Sequence, residues 1–584
     1  MSERRLRFPV GISDFRMMRE GDLAYIDKTP FIDAVLLEGA QVLLIPRPRR
    51  FGKTLNLSML RYFFEKSAED RSALFAGLAI SRSEAARPHF QRYPVIFLTF
   101  KDIKPGSWDD CLAGLANVLS EVYGEHDYLL EGGKLDPADE ALFTAIRRRR
   151  ATRTELLFGL RLLSRVLAAH HGEKVVLLLD EYDSPIHAGY TNHYYDEIIG
   201  FFRDFLSGGL KDNPHIFKGV LTGILRVAKE SLFSGLNNVD VFSILRTELG
   251  PYFGFTEPEV KSLVEAAGEP ALLDEMRAFY NGYLFGGQAI YNPWSVLCFL
   301  SRTPRMLLPH WIDTSNNDLV RELLLTGPEG VREELEALLQ GGALDQPIDE
   351  NIVLRDASLR SDTLWSFLLF TGYLKPISIS LIDGQLWAKL AVPNAEVAIA
   401  LRGMARSWLA SQVGGDTQLR SLLAALLAGE AALVEKHLSH MLGTMASSFD
   451  TQGPEPERFY HGLVIGLLAG LGSGYEVRSN RESGSGRCDV MILPKAAGQP
   501  GVALELKRVG PGESKARAMA AGMRQIRAKD YATELRERGA SPIHEMVAVF
   551  EGKLVSVRSA GEVLKGRRKV KAKSAPGKKG ARKG

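Results

Sequence analysis

The chain has 584 residues, more than one hydrophobic core usually supports, so two to four domains are expected. It is 45% hydrophobic and 24% charged, the balance of a water-soluble globular protein, and no apolar run reaches the roughly 18 residues of a membrane span, which excludes a helical membrane protein. The formal net charge of +3 conceals a tail at 565–584 with ten Lys/Arg and no acid, so the remainder of the chain sits at −7.

The N-terminus is basic but has no apolar core behind it, unlike a secretory signal. Cys111, Cys298 and Cys488 lie far apart, without metal-ligand spacing, and point to a reducing cytoplasm.

From the N-terminus, the runs Gln41–Ile45, Val95–Phe100, Val175–Leu179 and Phe217–Thr222 have strand length and polar or Gly/Pro borders. Helical patterns such as Leu55–Lys66 and Thr154–His170 lie between them, so 1–255 reads as an α/β domain with a parallel sheet. Residues 256–448 turn mostly helical, with Val397–Gln412 and Thr417–Leu438 as amphipathic helices and Gly384–Leu390 as a strand-like interruption. The Gly-, Pro- and acid-containing 449–457 reads as a linker. Then 458–564 reads as helix Arg458–Gly470, strands Tyr475–Ser479, Arg487–Leu493 and Val502–Arg508, one long helix Ser514–Gly539, and a closing hairpin. The Lys-, Gly- and Ala-rich 565–584 is expected to be disordered.

Two segments carry chemistry. Strand Gln41–Ile45 runs through Arg47-Pro48-Arg49-Arg50-Phe51 into Gly52-Lys53-Thr54 and a helix, the context of a phosphate-binding loop. Such a loop needs N–H groups and a lysine on the phosphates and a hydroxyl on magnesium. Lys53 fills the lysine role and Thr54 the hydroxyl role, Gly52 completes the turn, and Arg47, Arg49 and Arg50 add positive charge beside the phosphates. Arg47 stands where such loops usually have their first glycine. The apolar strand Val175–Leu179 ends in Asp180-Glu181, suited to a magnesium ligand (Asp180) and a base for the attacking water (Glu181). Thr222 and Arg226, at and beyond the next strand tip, are weaker candidates for sensing the terminal phosphate.

In the second segment Glu505 and Lys507 alternate on one strand and so share a face. A hairpin with Arg487–Leu493 would set Asp489 beside Glu505, gathering two acids and a lysine as magnesium-dependent phosphodiester cleavage requires. Glu457 could add a ligand, and Glu482 could stabilise the turn before Asp489.

These motifs carry resemblances. Gly11-Ile12-Ser13-Asp14-Phe15, Tyr25-Ile26-Asp27-Lys28-Thr29, Pro46 to Thr54, Leu179-Asp180-Glu181-Tyr182-Asp183, Tyr280-Asn281-Gly282-Tyr283 and Tyr291-Asn292-Pro293-Trp294-Ser295 together resemble the bacterial AAA-ATPase-like family over roughly 8–300. That resemblance implies ATP binding more firmly than rapid turnover, and makes an arginine-rich loop without the first glycine ordinary. The two Tyr-Asn clusters read most simply as packed turns, with a contact surface between lid and ATPase core as the alternative.

Phe459-Tyr460-His461-Gly462, Gly486-Arg487-Cys488-Asp489, Glu505-Leu506-Lys507, Gln525 and Tyr531 resemble the PD-(D/E)xK nuclease superfamily, a restriction-endonuclease-like α/β fold, over about 456–560. It implies Mg²⁺ on Asp489 and Glu505, water positioned by Lys507, and a supporting role for Gln525. The whole reads as a cytoplasmic ATPase whose nucleotide state regulates cleavage of nucleic acid, DNA before RNA, with self-assembly into a homo-oligomer compatible with it. The alternative is an ATP-dependent switch or scaffold that binds nucleic acid or a protein without cutting.

Overall fold

The computed structural model describes residues 7–21, 23–131, 133, 135–225, 238–311, 320, 331–352, 360–448, 470–471, 474–483, 486–510, 512–551 and 554–559. The predicted linker 449–457, most of the predicted helix Arg458–Gly470, and the basic tail lie outside them. The chain divides into two compact units, Met1–Pro328 with Ala343–Ala400, and Glu329–Gly342 with Leu401–Gly584. Among the described residues no helix is long and apolar enough to cross a membrane.

The first unit is built on five parallel strands: β1 (Val42–Pro46), β2 (Val95–Thr99), β3 (Val175–Asp180), β4 (Ile216–Gly223) and β5 (Val239–Val241). Their order is β2-β3-β4-β1-β5. Every residue of β1 and β3 is buried, which explains their unbroken apolar sequence: both faces of a parallel sheet are covered by helices. Because the strands are parallel, the ends of β1, β3 and β4 fall on one edge of the sheet. Arg47–Thr54, Asp180–Asp183 and Thr222–Gly223 therefore meet where α/β sheets place their ligands.

Beyond this sheet, β6 (Phe255–Thr256), β7 (Tyr283–Phe285) and β8 (Gln288–Tyr291) form a small antiparallel sheet. So do β9 (Leu344–Pro347), β10 (Lys375–Ile382) and β11 (Gln385–Ala391), the last being the predicted strand-like piece Gly384–Leu390. The helix Pro293–Ser301 starts at Asn292, whose side chain accepts from Trp294 N and Ser295 N.

The second unit carries a mixed sheet, β12 (Tyr475–Ser483), β13 (Gly486–Pro494), β14 (Gly501–Arg508), β15 (Ile543–Glu551) and β16 (Leu554–Ser559), in sequence order. Only β14 and β15 run parallel. The connection between them carries the helix Lys515–Lys529, whose Ala518, Met523 and Ile526 pack with Met491, Ala503, Val547 and Val549.

Three predicted helices are corrected; Thr154–His170 is two, Arg153–Leu157 and Gly159–His171, meeting at Phe158. The expected Ser514–Gly539 helix is two, Lys515–Lys529 and Ala532–Glu537, because Asp530 takes a left-handed φ of 39° and turns Tyr531 into the core. Thr417–Leu438 is likewise divided into Asp416–Ala428 and Ala431–Ser448 by Gly429 at φ 71°, a left-handed helix end.

Candidate functional site

The loop after β1 closes on Gly52, whose φ of 80° falls to glycine without strain, and a Cβ there would meet nothing within 4 Å. The helix Lys53–Phe64 begins at once. Its first N–H groups have no intrahelical acceptor, so this turn is a ready anion site. Lys53 Nζ donates to the carbonyls of Arg47 (2.9 Å) and Pro48 (3.0 Å) and is buried. Burial lowers its pKa, with Glu181, Asp183 and Asp180 opposing.

Thr54 and Thr222 converge on Asp180. Thr54 Oγ1 donates to one carboxylate oxygen and Thr222 Oγ1 to the other, both at 2.7 Å. Asp180 is fully buried at the end of β3; burial raises its pKa while the two hydroxyls pull it back. Glu181, next in sequence, adopts φ 49° and accepts from Ser184 Oγ at 3.1 Å. Asp183 was not singled out from sequence, yet it receives the N–H groups of Ile224 (2.8 Å) and Leu225 (3.1 Å) and ties the ends of β3 and β4 together.

The three loop arginines part company. Arg47 does not stand beside the phosphate position, correcting the sequence expectation. It is wholly buried, donates Nη1 to Phe242 O (2.6 Å) and Pro46 O (2.9 Å), and lies over the rings of Phe253 and Phe285. Burial takes its pKa down to about 9. A glycine there would leave a void among these rings, which is the physical reason for an arginine at the first-glycine position. Arg49 is half-buried, and its carbonyl accepts from Asn292 Nδ2 and Trp311 Nε1, both at 3.4 Å. Arg50 is exposed, with its guanidinium carbon 4.3 Å from the centre of the Trp294 ring.

A cleft of about 420 Å³ opens at this edge, within the range of small-ligand sites. Gly52, Lys53, Thr54, Arg49, Arg50 and Glu181 line it. So do Gly11, Ile12, Ser13, Tyr25 and Lys28 from the N-terminal motifs. Lys101 and Lys104, just beyond β2, also line it and were missed; the available signal was two lysines at a third strand tip on the same sheet edge. Arg226 lies outside the described residues. Thr54 lines the cation-lined cleft and its hydroxyl donates to the buried Asp180 carboxylate behind it, a donor set that fits Mg²⁺ beside a polyphosphate.

In the second unit β13 and β14 pair antiparallel, with Val490 opposite Leu504 and Met491 opposite Ala503. One step further, the same register sets Asp489 opposite Glu505. Asp489 Oδ2 accepts from Leu506 N at 2.7 Å, and Lys507 Nζ reaches Glu505 Oε1 at 2.6 Å. Glu505 is fully buried. Burial raises the Asp489 pKa, opposed by the Leu506 N–H and the Lys507 charge. Above them, Gly522 of the helix Lys515–Lys529 lies so close that a Cβ would stand 3.3 Å from Lys507 Cγ. Gln525 is on the same helix, its amide donating to Tyr531 Oη at 3.1 Å.

The structure therefore brings Asp489, Glu505 and Lys507 together and holds Gln525 through Tyr531. Glu457 lies outside the described residues, and so does the Glu482 side chain. Among the described residues no group of three or more His, Cys, Asp or Glu side chains converges. Two carboxylates and a lysine remain. This set fits Mg²⁺, which takes one or two carboxylates and completes its shell with water and substrate phosphate.

Comparison with known proteins matches residues 9–233 to the family described as "Predicted AAA-ATPase" and residues 455–559 to the "PD-(D/E)XK nuclease superfamily". A protein of Azotobacter chroococcum mcd 1, known as "Uncharacterized protein in vnfD 5'region", is 29% identical over 559 residues, covering 94% of this chain and 96% of its own. A solved structure of the Aeropyrum pernix ORC2 protein, in ADPNP-ADP complexes, aligns over 69% of this chain and 97% of its own at 13% identity and a TM-score of 0.24.

Proposed function

Since the chain carries a predicted AAA-ATPase domain at 9–233 and a PD-(D/E)XK nuclease superfamily domain at 455–559, we propose that it binds and hydrolyses ATP at the first site and cuts nucleic acid, DNA first, at the second. Nucleotide state regulates the cut. The observation that carries the reading is the meeting of Asp489, Glu505 and Lys507 on two adjacent strands.

At the nucleotide site, Thr54 and Asp180 hold Mg²⁺ and Lys53 neutralises phosphate oxygens. Glu181 orients the attacking water and takes its proton. At the nuclease site, Asp489 and Glu505 hold Mg²⁺, which supplies Lewis-acid stabilisation of the charge developing on the scissile phosphate. Lys507, kept beside Glu505 and braced against Gly522, donates an N–H to the attacking water and holds it in line.

The test is cleavage of supercoiled plasmid by purified protein with Mg²⁺, with and without ATP. Asp489→Ala and Lys507→Ala should each lower cleavage by at least about a hundredfold while ATP binding persists. Cleavage at the wild-type rate by both variants would remove the site. Binding of DNA without any cleavage by the wild type would favour a switch or scaffold instead.

A further inference from the structure

The Trp294 cluster, read from sequence most simply as a packed turn, stands directly on the nucleotide loop. The ring of Trp294 lies under the Arg50 guanidinium at 4.3 Å. Its indole N–H donates to His310 O at 3.1 Å, and its backbone N–H to Asn292 Oδ1 at 2.9 Å. Asn292 in turn donates to the Arg49 carbonyl, and a Cβ added at Gly11 would stand 3.8 Å from the ring edge. The ring is thus fixed from its polar edge and its backbone, and it offers a face to one cation.

Arg50 is fixed in an unusual way as well. Its φ of 68° is a left-handed conformation that a side-chain-bearing residue adopts at a cost. Glu181, lining the same cleft, has φ 49°. Strained residues persist where the surrounding structure over-determines them, and they gather at ligand sites. Arg50 differs from its neighbours in the loop. Arg47 is buried among phenylalanines, whereas Arg50 is exposed and lines the cleft beside Lys53, Thr54 and Glu181. A planar guanidinium can grip phosphate oxygens in pairs, which a lysine cannot do.

We infer that Arg50 binds the terminal phosphate of a nucleoside triphosphate in cis, distinguishing tri- from diphosphate, and that Trp294 is the positioning residue that aims it. This rests on the nucleotide-binding reading above. Lys53 and the helix N-terminus serve phosphates common to both nucleotides, and Arg50 adds a charged donor for the last one. Trp294 supplies the cation–π platform that keeps a flexible side chain over the cleft.

The experiment measures equilibrium affinity of the full chain for a non-hydrolysable triphosphate analogue and for ADP, each with Mg²⁺, together with tryptophan fluorescence. Arg50→Met should weaken the triphosphate analogue about ten- to hundredfold and ADP less than about threefold, the loss of charged hydrogen bonds to one phosphate. Arg50→Lys should fall between. Trp294→Leu should weaken the analogue about three- to tenfold, and Trp294→Phe, which keeps a ring face, by less. In wild type the analogue should change indole emission more than ADP does, and Trp294→Phe should remove that difference. Thermal melting checks folding, and Arg50→Lys serves if Arg50→Met does not fold. Equal loss of both nucleotides in the Arg50 variants, or unchanged preference, overturns the inference while leaving nucleotide binding intact. Failure of wild type to bind either nucleotide, or an unaltered Lys53→Ala, removes the nucleotide reading and this inference with it.

Discussion

Glu396 shows how much a single buried carboxyl can weigh. It sits in the first turn of the helix Ala395–Val413, fully buried, with Ser295 Oγ 2.9 Å from both its oxygens and Trp311 N at 2.8 Å. Burial raises its pKa to about 7, against the hydrogen bonds from Trp311, Ser295 and His310. An acid whose folded pKa lies above its unfolded value binds a proton in the native state that the unfolded chain has released. Stability from this residue therefore declines as pH rises from about 4.5 to about 7, by about 3 kcal/mol, and is level above that window. Glu396→Gln keeps the acceptor and stays neutral, so it should flatten this decline and gain most of that amount at pH 8. Denaturant titrations of both proteins at pH 5 and pH 8 measure it, and parallel slopes in the two proteins would refute the assignment. Nothing near 396 in the sequence marked this residue, because its burial comes from Ser295 and Trp311, far away in the chain. Trp294 was visible as part of a motif, but its pairing with Arg50 was hidden for the same reason, since Arg50 is a tertiary neighbour. Gly52, Lys53, Thr54 and Asp180 were legible because a contiguous motif and a strand tip carry them. Thr222 was half-legible, a polar residue at a strand end whose bond to Asp180 only the sheet order decides.

Among the elements, strands were read well and helix ends poorly. β1 and β3 are continuous apolar runs because both sheet faces are covered, a pattern with few alternatives. The break at Asp530 left no comparable trace, since an aspartate takes a left-handed turn without changing the apolar rhythm around it. At Gly429 the glycine was in plain view, but flanking apolar residues kept the helical period through it. The helix Lys515–Lys529 carries a sharper consequence. At Gly522 an added Cβ would stand 2.6 Å from Val547 Cγ1, too close for either to remain in place. Alanine improves helix propensity by about 1 kcal/mol, whereas overpacking a helix on a sheet costs about 1–3 kcal/mol. Gly522→Ala should therefore lose about 1 kcal/mol net and Gly522→Val about 3 kcal/mol. Because the same Cβ presses on the Lys507 stem, cleavage should fall further than stability does. Denaturant midpoints beside plasmid cleavage rates decide it; a stabilised Gly522→Ala would contradict the close approach.

Across the whole molecule, the proposed sites fall in different compact units, and units with their own contacts should unfold as separate cooperative blocks. A ligand that binds only the folded state stabilises the block that holds it, by about 2.7 kcal/mol at a hundred times its dissociation constant. For the larger, first unit this is a rise of about 3 °C in its transition; for the smaller, second unit, whose unfolding entropy is less, about 5–10 °C. Calorimetry should accordingly show two transitions. ADP with Mg²⁺ should raise one of them and should fail to do so in Lys53→Ala. Mg²⁺ with a short DNA duplex should raise the other in wild type, and Asp489→Ala should cancel the part that depends on the metal. Regulation of cleavage by nucleotide adds a stricter requirement, because coupling between sites is reciprocal. If the triphosphate analogue alters the nuclease unit's readiness to bind DNA, then DNA must alter affinity for the analogue by the same factor. Equal analogue affinities with and without saturating duplex would leave two independent activities on one chain and would end the regulatory part of the proposal.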